Sequence, residues 1–187
     1  YAKYVVSKRA KEVMEDPEQA YLYACEIIGG RWCQTELTIM KDPEYAYWYA
    51  RSVIEGRWPE AELYIMKYPR WAYEYARHII RGRWAEAEPH IMKDHEHAYW
   101  YARHIINGRW PEAEPVIMKD PQRAYWYALY IIGGRWPKAE DIIMRVEDPH
   151  LAYYYAKSVI KGRWPEAESV ITKNQYCWEE YISFFPL

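Results

Sequence analysis

An arginine followed five residues later by a glutamate recurs six times: Arg31 and Glu36, Arg57 and Glu62, Arg83 and Glu88, Arg109 and Glu114, Arg135 and Glu140, Arg163 and Glu168. A carboxylate held beside a guanidinium is one way an enzyme tunes an acid or a base. Six copies point elsewhere, because a catalytic centre is needed once and a structural clasp once per repeat. The spacing therefore predicts a repeated ion pair or turn clasp. Histidines offer a second chemistry: His78, His90, His95, His97 and His104 cluster centrally, with His150 apart. A zinc site wants mixed His, Cys and carboxylate ligands at tight spacing. His78 and His104 occupy equivalent positions one repeat apart, but there is no Cys pair and no His-Glu-x-x-His pattern. His90, His95 and His97 straddle an expected turn. Gly29-Gly30 and Gly133-Gly134 are followed by no Gly-Lys-Ser/Thr, so they read as helix ends rather than a phosphate loop. No serine or cysteine sits in a nucleophile signature. The expectation is a noncatalytic chain with no cofactor, no metal and no small-molecule substrate.

The elements that must position these residues come from an internal period. Gly-Arg-Trp begins at Gly30, Gly56, Gly82, Gly108, Gly134 and Gly162, a spacing of 26 residues four times and then 28. A fixed period of this length is the signature of a stacked array. One repeat runs from Asp42 to Lys67. Asp42 can cap free amides, Pro43 suits the first helical position and Glu44 the positive end of the helix dipole. Ala46, Tyr47, Tyr49, Ala50, Val53 and Ile54 then form a buried stripe at helical spacing, and Gly56 is expected to supply the left-handed turn that ends this helix of about 13 residues. A second, shorter helix follows Trp58, with Ala61, Ile65 and Met66 facing inward. Pro89 and Pro115 fall inside it in two repeats, where it should break or start late. Short connections make neighbouring helices antiparallel, and the six Trp of the Gly-Arg-Trp turns are expected to pack between repeats.

These features define an all-α chain, an α-solenoid of about six two-helix repeats of 26 residues. It reads as a single helical-repeat domain over 1–187, with a divergent N-terminal cap helix over 1–15, six repeats over 16–173 and a C-terminal cap over 174–187. In that last cap Trp178 and Ile182 stand where the repeats have Ala. Val146 and Glu147 form a two-residue insertion that should alter the turn between the fifth and sixth repeats.

The runs Gly56 to Glu62, Gly108 to Pro121 and Ala124 to Ala128, worded Gly-Arg-Trp-Pro-Glu-Ala-Glu, Ile-Met-Lys-Asp-Pro and Ala-Tyr-Trp-Tyr-Ala, resemble a tandem helical repeat found in proteins of phages and bacteria. The resemblance spans almost the whole chain, with departures at Cys33 (for Pro), Tyr68 (for Asp) and His95 (for Pro). It implies a viral or mobile-element origin, and no activity, cofactor or catalytic residue.

Composition narrows the partners. The net charge of −2, with both signs interleaved, excludes a strongly basic nucleic-acid binder and a strongly acidic mimic of one. The aromatics are 21 Tyr and 11 Trp against 2 Phe, rings with a polar atom that suit partly exposed packing. Cys25, Cys33 and Cys177 occupy no repeated position, so repeat-by-repeat disulfides are excluded and a reduced, cytoplasmic setting is expected, host cytoplasm or virion if the source is viral. There is no apolar run of bilayer length and no signal-like start. The first residue is Tyr1 rather than Met, which fits a processed chain or a piece of a longer one.

Positions equivalent to 44, 48, 51, 52 and 55 vary between repeats while the stripe beside them does not. Their spacing groups them on the other face of the first helix. The residues of interest there are Trp48 and Arg51, Arg77 and His78, Trp100, Arg103 and His104, Trp126 and Tyr130, and Tyr154 and Lys157. Trp and Arg together have the composition of interface hot spots. The expectation is a scaffold that binds another protein or assembles with itself through this face. The alternative is single-stranded nucleic acid, with cations on phosphates and Trp stacked on bases.

Overall fold

The computed structural model describes residues 13–186; of the expected N-terminal cap helix, residues 1–12 lie outside the described residues. Among the described residues every regular element is helical, which places the chain in the all-α solenoid class. The chain forms two compact bodies, Tyr1–Lys93 and Asp94–Leu187. The first holds α1 (Pro17–Tyr23), α2 (Cys33–Ile39), α3 (Pro43–Tyr49), α4 (Pro59–Ile65), α5 (Pro69–Tyr75) and α6 (Glu88–Ile91). The second holds α7 (His95–Tyr101), α8 (Glu114–Ile117), α9 (Pro121–Tyr127), α10 (Pro137–Arg145), α11 (Pro149–Tyr155), α12 (Glu168–Ile171) and the closing helix α13 (Gln175–Phe184). Within each body a first helix packs on the second helix of its own repeat and on the first helix of the next.

Five of the six first helices start on the expected cap. Asp42 Oδ1 accepts from the Glu44 and Tyr45 amides, Asp148 likewise from His150 and Leu151, and Asp16, Asp94 and Asp120 each from one amide three residues on. Tyr68 has no such side chain to offer, yet α5 has the same span, so packing carries it without the cap. After seven α-helical residues the helix widens into one π-helical turn of five, such as Ala50–Ile54 after α3. Two amides then converge on one carbonyl: both Glu55 and Gly56 donate to Ala50 O.

The left-handed residue is not the repeated glycine but its predecessor. Gly29, Glu55, Arg81, Asn107, Gly133 and Lys161 have φ between 55° and 73°. Gly56 and its equivalents outside that set do not adopt this conformation. The reversal thus falls one residue before the repeated glycine, which corrects the assignment made from Gly56.

Ala46, Tyr47, Tyr49 and Ala50 are buried as the stripe requires, but Val53 and Ile54, on the widened turn, are half-buried. In the second helices Ala61 and Ile65 are fully buried and Met66 half-buried. The repeats with Pro89 and Pro115 do start late, as the four-residue helices α6 and α8. The insertion lengthens α10 to Arg145 and turns the chain through Glu147 at φ 52°. In α13, Trp178 and Ile182 are half-buried where the repeats bury Ala, while Cys177 and Tyr181 are enclosed.

Candidate functional site

The repeated Arg and Glu form a clasp and not a reactive pair. Arg57 Nε and Nη2 donate to the two Glu62 carboxylate oxygens at 2.8 and 2.7 Å. The Tyr75 hydroxyl of the next repeat donates to Glu62 Oε1 at 3.0 Å and accepts from the Trp58 amide at 2.6 Å. The same four-membered arrangement joins Arg31, Glu36, Tyr49 and Trp32. In the second body it joins Arg109, Glu114, Tyr127 and Trp110, then Arg135, Glu140, Tyr155 and Trp136, then Arg163, Glu168, Tyr181 and Trp164. Burial raises these phenols, Tyr49 and Tyr127 to about 12, so they stay protonated and able to donate. The Trp ring itself packs within its own repeat, Tyr49 on Trp58 at 5.0 Å between centroids and Tyr127 on Trp136 at 4.9 Å. The backbone amide of the Trp makes the tie to the next repeat.

A second arrangement organises the variable face. Arg51 Nη1 donates to the Tyr47 hydroxyl at 2.6 Å, one turn back on the same helix. Arg77 does the same to Tyr73 at 2.8 Å, Arg103 to Tyr99 at 2.6 Å and Lys157 to Tyr153 at 2.8 Å. Each tyrosine is buried, so its cation is held at one place. Two repeats have no cation to offer, with Cys25 and Leu129 at that position. There burial raises the Tyr21 and Tyr125 phenols, and Ser52 and Ser158 of the next repeat oppose that shift. The signal was in the sequence as Tyr followed at i+4 by Arg or Lys.

The residues predicted for the site lie on a face with no buried member. Trp48, Trp100 and Trp126 are half-buried. Trp48 lies beside Arg51, whose guanidinium carbon is 5.5 Å from its centroid. Trp100 stacks on His104 at 5.1 Å with rings 10° apart. Trp126 lies under Arg123, which also pairs with Glu96 at 2.7 Å and was not foreseen. Arg103 lies 4.1 Å over the ring of exposed Tyr130. Tyr154 is exposed, whereas Lys157 is drawn onto the Phe184 ring of α13 at 3.9 Å.

Two open grooves lie between the C-terminal ends of neighbouring first helices. The first, about 720 Å³, is lined by Arg51, Glu55, Arg77, His78 and Arg81. His78 pairs with Glu74 at 3.1 Å, and burial, then Arg51, lowers its pKa. The second, about 330 Å³, is lined by Arg103, His104, Asn107 and Tyr130. Arg51, Arg77 and His78, expected on the binding face, are joined there by Glu55 and Arg81. Among the described residues no group of three or more His, Cys, Asp or Glu could hold a metal ion, and no helix is long and apolar enough to cross a membrane. Cys25, Cys33 and Cys177 are free. Comparison with protein-family models, curated proteins and solved structures finds no match to the chain.

Proposed function

We propose that the chain is a noncatalytic scaffold that binds a protein partner, or further copies of itself, through the outer face of its first helices. The observation that carries this reading is Trp48, Trp100 and Trp126 held half-exposed on a face where the repeats differ from one another. Apolar ring area left in water is unfavourable by about 25 cal/mol per Å² and is recovered when a partner covers it. The cations between these rings are anchored on buried tyrosines, so little side-chain entropy is lost when they are covered. The likeness to phage repeats points to virion assembly or to capture of a host factor.

The test is a double substitution, Trp100→Ala with Arg103→Ala. Circular dichroism should keep its helical form, because neither residue is buried, and melting should fall only by the loss of the Arg103–Tyr99 hydrogen bond, about 1–3 kcal/mol. Affinity for the partner, or self-association followed by light scattering, should weaken at least about tenfold, as for hot-spot residues. Unchanged association by the folded variant overturns the reading.

A further inference from the structure

The geometry points to the groove between the C-terminal ends of the α3 and α5 repeats as a recognition site for an acidic peptide segment, with Arg51, Arg77 and Arg81 receiving its carboxylates. This rests on the scaffold reading and names the chemistry of the partner at one place on that face.

Four observations carry it. First, the lining is cationic: three arginines face a single lining carboxylate, Glu55, while nearby Glu74 is engaged by His78 at 3.1 Å. Second, Arg51 and Arg77 are already held in place. Each gives one N–H to a buried tyrosine and keeps the rest of a five-donor fork that matches a carboxylate in a bidentate way. Third, Arg81 sits at φ 58°, a conformation unfavourable for a residue with a Cβ, at a position where two other repeats have Gly29 and Gly133. Fourth, the cationic lining is local. The corresponding groove of the second body has Asn107 in place of Glu55, Leu129 and Gly133 stand where Arg77 and Arg81 do, and its one arginine, Arg103, has its face covered by Tyr130. A short cationic stretch of about 720 Å³ suits a few acidic side chains, whereas a phosphate backbone would need the charge to continue.

The experiment uses the full chain and fluorescence anisotropy with a labelled octaglutamate peptide, against an octalysine peptide and an eight-residue oligothymidylate. Arg81→Gly removes one groove cation and relieves its backbone, and Lys161→Gly makes the same change at the same position of another repeat, away from the groove. Both variants should melt at or above the parent. Octaglutamate should bind in a saturable way, and Arg81→Gly should weaken it about fivefold, in the range of an exposed-to-charged hydrogen bond, while Lys161→Gly leaves it unchanged. Absence of saturable octaglutamate binding overturns the assignment. So does an equal loss in both variants, tighter binding of oligothymidylate than of octaglutamate, or binding of octalysine. If octaglutamate fails while Trp100→Ala with Arg103→Ala still abolishes partner capture, the groove assignment falls and the scaffold reading stands.

Discussion

At the left-handed position that closes each first helix the chain accepts Gly, Glu, Arg, Asn, Gly and Lys in turn. A residue with a Cβ is less stable there by about 1–2 kcal/mol, so glycine should matter at this position more than at the repeated one beside it. Gly133 and Gly134 allow the contrast within one repeat. An added Cβ meets no atom within 4 Å at either, but only Gly133 has positive φ, 73°. Gly133→Ala should therefore lose about 1–2 kcal/mol, and Gly134→Ala should be near neutral, as read from urea unfolding midpoints. A larger loss at Gly134 would place the reversal at the wrong residue. From the sequence alone the repeated glycine drew the assignment, because periodicity marks what recurs. The left-handed residue is its predecessor, a position whose variability hid its conformational demand.

Between elements, the clasp turns a periodic sequence into a fixed packing. Its Arg and Glu were legible from spacing, five residues apart. Its tyrosine and amide were not, since Trp58 and Tyr75 are separated by 17 residues and belong to different repeats. The phenols give the clasp a pH signature. Burial holds Tyr49 and Tyr127 at about 12, against 10.0 for an unperturbed phenol, and raises Tyr75 and Tyr155 further. Above pH 10 the unfolded chain releases these protons while the folded chain keeps them. The unfolded state then binds fewer protons, so stability falls as pH rises. Their contribution is fully present below pH 10 and is lost progressively from there to 12 and above. Melting temperature should be flat between about pH 7 and 9 and drop steeply beyond 10, with each buried phenol adding about 1.4 kcal/mol per pH unit to the slope. Tyr127→Phe should flatten that limb. It should also lower stability at neutral pH by about 1–3 kcal/mol, because the buried Trp110 amide loses its acceptor. A melting temperature indifferent to pH up to 12 would mean that these phenols are open to solvent.

For the molecule as a whole, the stability of a stacked chain approximates a sum of terms within repeats and between neighbours. Among the described residues the α-helical stretches run from four residues in α8 to ten in α13, and a seven-residue first helix gains only the five of its π turn, still too short to persist alone. Each repeat thus depends on the ones it touches, and a lesion should be felt locally. Tyr155→Phe tests this. It removes the acceptor for the buried Trp136 amide at 2.9 Å and the donor to Glu140 at 3.2 Å, in a junction lying wholly within the second body. Hydrogen exchange should quicken across α10, α11 and the π turn that follows, and Trp136 with its neighbours should lose the most protection. Amides of α1 to α5, in the first body, should keep theirs. A cooperative single-core protein would answer differently, losing protection everywhere by the same free energy. Uniform loss from Pro17 to Phe184 would show that the chain unfolds as one unit despite its repeated construction. Loss confined to the junction would show that each repeat can be altered with little disturbance to those it does not touch, which is what a face customised repeat by repeat requires.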